Sequence, residues 1–395
     1  MTEYYTPTRV FFGKGAEEKL GKTLKDNGYR KALLHYGGKS AEKSGILEKV
    51  RKDLQDNGIQ IIEVGGVVPN PRVDLVRKAI EAALDFGAEI IVALGGGSVI
   101  DSAKAIGYGL YNRDGDIWEY YLKKRSVKGA IPVAVVLTLS ATGSEMSASS
   151  VISNDEGTGY KRGLNSVWGR PKFAFLNPEL TYSVSPYQTA SGSADIMMHT
   201  LERFFHQGES LSLTDDLSLA LLDSVMVNTK KALEKPDDYN ARANLMWAGS
   251  LSHNDLMSTG NETRGDWACH QMEHELSALF DCAHGAGLTA IWGSWARFVM
   301  APLMDRFALL GERLFHIDGN TEEKAEGAIE KMEEFFSSIH MPVNIRELGI
   351  ELTDEDIKVL SYGATYHGER VLGDKVKLGE KEISAIFQSA RGQLI

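Results

Sequence analysis

Between Lys31 and Leu176 the chain keeps switching period, and that constrains it more than any other feature. Short apolar runs at Lys31–Tyr36 (KALLHY), Ile59–Val64, Glu89–Leu94, Ile131–Leu137 and Phe173–Leu176 alternate with helical spacing at Ala41–Asn57, Arg72–Phe86 and Val99–Tyr108. A run that is apolar at every position suits a strand buried on both faces, which a parallel sheet provides. Strand and helix in alternation predict such a sheet with helices on both sides, an α/β, Rossmann-like nucleotide-binding domain. Sheets of this kind take ligands at the carboxyl ends of their strands, where Gly37-Gly38 and Gly95-Gly96-Gly97 stand.

The strand signal stops near Ser183. Thr189–His206, Asp216–Glu234, Asp238–Ser258 and Trp267–Leu279 all have helical spacing, separated by joints at Gly260, Gly285, Pro302 and Pro342. The expected plan is a dinucleotide-binding domain at 1–182 and an all-helical domain at 183–395, joined near Pro178–Pro186. A chain of 395 residues has room for both.

Composition narrows the partners. With 43 Lys and Arg against 54 Asp and Glu, the net charge of −11 disfavours nucleic acid, whose phosphates need basic patches. Two cysteines, Cys269 and Cys282, exclude a disulfide framework and suit a reducing compartment. Met1–Val10 lacks a signal-peptide core, and no run of about 18 apolar residues appears, so neither a leader nor a membrane span is expected. The cytoplasm is the expected setting.

Gly95-Gly96-Gly97-Ser98 follows a strand and opens a helix. Without Cβ atoms, backbone amides can approach a pyrophosphate, and the helix N-terminus favours negative charge. Ser98 is also a candidate helix cap. The pattern is not G-x-G-x-x-G, and a tight turn without ligand is the alternative. A second polar turn, Leu137–Ser147 (LTLSATGSEMS), could border an adenine or ribose; such loops are otherwise simple surface.

The histidines point to a metal. Asp195 and His199 are four apart on a helix, hence on one face, and His270 and His274 repeat the spacing. His284 follows in HGAGL. One carboxylate with three imidazoles can close around a divalent cation, and nitrogen and oxygen donors suit Zn²⁺ or Fe²⁺. Taken singly, each pair could equally be a surface ion pair or a satisfied core histidine. Cys269 and Cys282 read as inert thiols. Trp292 and Trp295 could line an apolar pocket or fill a helix seam.

Together these residues resemble the iron-containing (type III) alcohol dehydrogenase family, most closely its butanol dehydrogenase and NADPH-dependent aldehyde reductase branch. The matching blocks are VVPNP at 67–71, GGGSVIDSAKAIG at 95–107, ATGSE at 141–145, NPELTYSVSPYQTASGSADIMMHTLE at 177–202 and HQMEHELSALFDCAHGAGL at 270–288. The resemblance implies Asp195, His199, His270 and His284 as metal ligands. It implies His274 as the catalytic side chain beside nicotinamide and substrate. It sets the pyrophosphate on Gly96, Gly97 and Ser98 near Asp101, the adenosine beside Thr138, Thr142 and Ser147, and Lys161 on the ribose. A homodimer is a further implication.

One departure bears on the cofactor. Members preferring NAD often carry an Asp after the first strand, which binds the ribose 2′-hydroxyl and repels a 2′-phosphate. Here the turn reads Tyr36-Gly37-Gly38-Lys39-Ser40. Gly37 and Gly38 leave room, and Lys39 and Ser40 could hold a phosphate, so NADP(H) is expected over NAD(H). The expected reaction is hydride transfer between nicotinamide and a short-chain alcohol or aldehyde, with the metal as Lewis acid. Glycerol dehydrogenase-like oxidation and a dehydroquinate synthase-like lyase share the plan. The lyase needs basic residues for a phosphorylated acid, and the metal-site segments are poor in them.

Overall fold

The computed structural model describes residues 3–155 and 160–392, with the side chains of Lys39, Ser40 and Tyr160 outside the described set. The chain divides into two units.

The first unit comprises Tyr5–Val184 and Pro236–Ser250. Its strands are β1 (Arg9–Phe12), β2 (Lys31–Tyr36), β3 (Gln60–Val64), β4 (Ile90–Gly95), β5 (Val133–Leu137), β6 (Ser149–Asn154), β7 (Tyr160–Asn165) and β8 (Phe173–Leu176). Its helices are α1 (Leu20–Asp26), α2 (Lys39–Lys43), α3 (Ile46–Asp56), α4 (Val73–Phe86), α5 (Gly97–Tyr111) and α6 (Ile117–Tyr121). Six strands form a parallel sheet in the order β1-β8-β5-β4-β2-β3, and β6 with β7 makes a separate antiparallel hairpin.

The sheet is buried on both faces, and its residues sort by parity. Leu33, Ile91, Ala93, Val133, Val135 and Ala174 enter one core; Ala32, Leu34, Ile90, Val92, Ala134 and Phe175 enter the other. This is the two-residue period of a strand with apolar partners above and below. Edge strand β1 and the β6–β7 hairpin had no strong signature in the sequence. The stretch 41–57, read as one helix, is two: Gly45 sits at φ 75° and ends the first.

The second unit comprises Met1–Tyr4, Ser185–Lys235 and Leu251–Ile395. It contains α7 (Pro186–Phe204), α8 (Ser212–Glu234), the end of α9 (Tyr239–Ser252), α10 (Ala268–Phe280), α11 (His284–Val299), α12 (Met304–Phe315), α13 (Thr321–Ser338), α14 (Asp354–Ala364) and α15 (Glu380–Ala390). Residues 236–250, expected with the helical half, group with the α/β unit. Trp292 and Trp295 are fully buried against Phe336, Phe205 and Phe307, so they fill helix seams. No helix among the described residues is long and apolar enough to cross a membrane.

Candidate active site

The helical unit brings four expected ligands together around one carboxylate oxygen. Asp195 and His199 project from the same face of α7, and His199 Nδ1 lies 3.5 Å from Asp195 Oδ1. His270, from α10, places Nε2 3.6 Å from that oxygen. His284, the first residue of α11, places Nε2 3.7 Å away. These separations are too long for good hydrogen bonds. They match tetrahedral donors about 2.0–2.2 Å from a cation, which stand about 3.3–3.6 Å apart. Asp195 Oδ1, His199 Nδ1 and His270 Nε2 are buried and lack a hydrogen-bond partner. Three such orphans converging on one point cost several kcal/mol unless a cation completes them, by roughly 1–3 kcal/mol each. The donor set therefore fits a divalent metal.

Two glutamates aim the ring nitrogens. Glu202 accepts from the backbone N–H of His270 at 3.0 Å, and its other carboxylate oxygen binds His270 Nδ1. Glu273 binds His284 Nδ1 through Oε2. Both carboxylates are buried, and each turns the opposite nitrogen of its histidine toward Asp195. A carboxylate behind a ligating imidazole fixes the tautomer and raises basicity. The pairing is crossed: Glu202 on α7 supports α10, and Glu273 on α10 supports α11. Sequence reasoning missed both. The available signal was a glutamate three residues after a candidate ligand, in His199-x-x-Glu202 and His270-x-x-Glu273.

The electrostatics agree. Burial tends to strip the proton from His270, but Glu202 and Asp195 overcome it and lift the pKa to about 9. The field that retains a proton there equally favours a cation. His199 is pushed well below its ordinary value, first by burial and then by His253, His270 and Arg203. It is held neutral, as a ligand must be. His253, absent from the expected set, stacks edge-on against His199 with ring centres 4.0 Å apart. Burial, with Glu202 and Asp266 nearby, raises the Cys269 thiol well above its usual range, so it is unreactive.

His274 lies one turn beyond His270 on α10, half-buried, with its ring 5.8 Å from that of His284. Ligand-capable atoms of Glu273, His274 and His284 fall within 4.8 Å of one another. His274 thus borders the ligand cluster.

The expected cofactor residues fall in the α/β unit. In the parallel register Tyr36 pairs with Leu94 and Gly95 with Leu137. The turns after β2, β4 and β5 therefore lie side by side at one sheet edge, bringing Gly37 and Gly38, Gly96 to Ser98, and Thr138 into a row. Helix α5 begins at Gly97, and its N-cap is Gly96, which has no side chain to give. Ser98 lies within the first turn and is not the cap, because the helix starts at Gly97, two residues before the Val99 start that a cap at Ser98 would require. A Cβ on Gly97 would stand 2.4 Å from Thr142 Cγ2 and 2.5 Å from its Oγ1. Only glycine admits that approach, and the helix N-terminus remains open to an anion.

Several named residues are occupied with the protein itself. Asp101 accepts from Ser144 Oγ through one oxygen and from the Val151 amide at 2.9 Å through the other. Ser147 gives its carbonyl to Lys104 Nζ at 3.1 Å. Thr138 donates its amide to Gly95 O at 3.1 Å. Lys161, on β7, is buried, and its charge reaches Asp101. Gly38 is exposed with open space around it. The side chains of Lys39 and Ser40 lie outside the described residues.

Residues 7–178 match the sequence model of iron-containing alcohol dehydrogenase, and 189–391 match the C-terminal model of the Fe-containing alcohol dehydrogenase family. The chain is 39% identical over 391 residues to NADH-dependent butanol dehydrogenase A of Clostridium acetobutylicum, covering 98% of this chain and 99% of that protein. It is 32% identical to the NADPH-dependent aldehyde reductase YqhD of Escherichia coli, covering 98% of each. The crystal structure of an NADH-dependent butanol dehydrogenase A from Thermotoga maritima superposes with a TM-score of 0.94 at 34% identity, covering 99% of both chains.

Proposed function

This chain belongs to the iron-containing alcohol dehydrogenase family and is an NAD(P)H-linked oxidoreductase interconverting alcohols and aldehydes; on that premise we propose that it reduces short-chain aldehydes such as butanal, with Asp195, His199, His270 and His284 holding the metal. The observation that carries this reading is Asp195 Oδ1 with three imidazole nitrogens at 3.5, 3.6 and 3.7 Å. When bound, Fe²⁺ or Zn²⁺ supplies Lewis acidity to the carbonyl oxygen, and the nicotinamide supplies hydride. Glu202 and Glu273 keep the His270 and His284 rings aimed at one point. His274 holds or yields a proton at the edge of the cluster. Gly96, Gly97 and Ser98 present amides to the pyrophosphate, with Thr142 packed beside them. Glycerol dehydrogenase-like and lyase readings are less supported, since the relatives above 30% identity named here are butanol dehydrogenases and an aldehyde reductase.

NADPH is the proposed preference over NADH, because the turn after β2 carries Gly37-Gly38 with open space at Gly38 and no acid. The relatives named above divide between the two cofactors. A homodimer is proposed across edge strand β1, whose outer side is unpaired among the described strands. There Val10, Phe12, Ala243, Asn244 and Trp247 line an apolar cavity of about 430 Å³. A reducing, cytoplasmic setting suits a chain whose two cysteines, Cys269 and Cys282, form no disulfide.

The test is cofactor oxidation with butanal on chelator-stripped protein, before and after adding Fe²⁺ or Zn²⁺. Activity restored by metal supports the reading. Activity indifferent to metal sinks the ligand assignment. An NADPH/NADH rate ratio below one reverses the cofactor preference.

A further inference from the structure

Lys104 is fully buried in α5, and nothing in the proposed reaction uses it. Its three ammonium protons are matched by three close acceptors in one loop: Ser149 O at 2.6 Å, Ser144 Oγ at 2.7 Å and Ser147 O at 3.1 Å. Ser147 Oγ lies farther, at 3.4 Å. One turn earlier on the same face, Asp101 takes the Ser144 hydroxyl and the Val151 amide, while its own backbone carbonyl accepts from Ser150 Oγ at 2.9 Å. The segment 144–151 is therefore clamped onto α5 by a buried cation and a half-buried anion.

The clamp leads toward the helix N-terminus. Ser144 is the junction, since its hydroxyl accepts from Lys104 and donates to Asp101. Its backbone amide donates to Thr142 Oγ1 at 3.2 Å. Thr142 in turn packs where Gly97 has no Cβ. A chain of direct contacts thus runs from Lys104 through Ser144 and Thr142 to the first turn of α5. Holding a charged lysine in this interior is costly: burial lowers its pKa to about 8, with Arg170 pushing the same way and Asp101 and Glu145 opposing. A Met of similar length would fill the space without that cost. The charge is what reaches three oxygens of one loop at once.

We propose that Lys104 is a positioning residue for the cofactor, its ammonium locking the 142–149 loop onto α5 so that Thr142 and the amides of Gly97 and Ser98 form a preset pyrophosphate cradle. The proposal rests on the reading of that turn as the cofactor site. It goes beyond it by assigning the cradle's rigidity to a side chain that need not touch the ligand.

The experiment measures ADP and NADPH dissociation constants by titration calorimetry, with steady-state kinetics, for the wild type and Lys104→Met. Loss of a charge-assisted buried contact is expected to weaken both ligands about tenfold and raise KM for the cofactor by a like factor. The kcat should stay within about threefold and KM for butanal unchanged, since the metal cluster is untouched. A purely structural lysine would lower Tm and leave the affinities alone, and that result overturns the proposal. Should Lys104→Met fail to fold, Ser144→Ala keeps the lysine and cuts the junction; it is expected to weaken ADP about threefold, and an unchanged affinity overturns the proposal equally. Wild-type protein that binds neither ADP nor NADPH would instead defeat the cradle reading, and the proposal with it.

Discussion

His35 shows how one buried side chain ties stability to pH. It sits in β2 with no exposure, Nδ1 bound to Val64 O and Nε2 to Ser102 Oγ, both at 2.8 Å. Val64 O can only accept, so Nδ1 carries the proton, and Nε2 accepts from the hydroxyl. A second proton would charge a ring that has no exposure to water, and this burial lowers the pKa from 6.5 to about 4. The unfolded chain binds that proton more readily. The contribution is complete above pH 6.5 and is lost as pH falls through about 4, by about 3 kcal/mol in all. Urea melts at pH 7 and pH 4.5 should show His35→Gln less stable than wild type at the higher pH and less sensitive to acid. Equal acid sensitivity in both would assign the effect elsewhere. Within the metal cluster, residues separate by role. Glu273→Gln should loosen the metal about 10–100-fold in chelator competition, because it unsettles the His284 ring. His274→Ala should keep metal content near wild type while lowering kcat; equal loss of metal and turnover would make it a ligand or structural residue.

At the scale of elements, two close approaches position the ligands. The backbone N–H of Asp266 donates to Glu202 O at 2.7 Å and to Phe205 O at 2.8 Å, docking the start of α10 on the end of α7. At the head of α11, a Cβ on Gly285 would stand 2.0 Å from Ser191 O, a backbone atom of α7 that cannot step aside. Gly285→Ala should push α11 off α7 and carry the adjacent His284 with it. A loss of about 1–3 kcal/mol is expected, as for overpacking generally, together with weaker metal binding. Thermal melts and metal analysis would check it, and a variant that keeps full metal affinity would show His284 to be held independently of this contact. The elements differed in legibility. Strands β2 and β8 follow from their apolar runs at the same bounds, because burial on both faces keeps most of their positions apolar, with His35 of β2 the hydrogen-bonded exception. Edge strand β1 and hairpin β6–β7 are only partly buried, so their sequences (RVFF, SSVISN, YKRGLN) lack such a run.

Across the molecule, the metal is expected to act as a staple among α7, α10 and α11. A ligand that binds only the folded state at about 1,000 times its dissociation constant adds about 4 kcal/mol. In a unit of this size each kcal/mol shifts Tm by roughly 2–4 °C, so chelation should lower Tm by about 8–16 °C. Calorimetry with and without chelator measures this, and an unchanged Tm would show that the cluster is stable without its cation.

The sequence by itself determined the alternation of strand and helix, the loss of strands after residue 183 and the paired spacings Asp195–His199 and His270–His274, because these depend on local period and each residue's own side chain. Tertiary structure decided which histidines converge on Asp195 Oδ1, that Glu202 and Glu273 stand behind them, that Gly96 rather than Ser98 caps α5, and that Asp101 and Lys104 grip the 144–151 segment. Each of these joins segments from 11 to about 90 residues apart, or depends on where an element begins. A helical period says which face a side chain occupies. It does not say what the fold packs against that face, and the chemistry of this site lies in what is packed there.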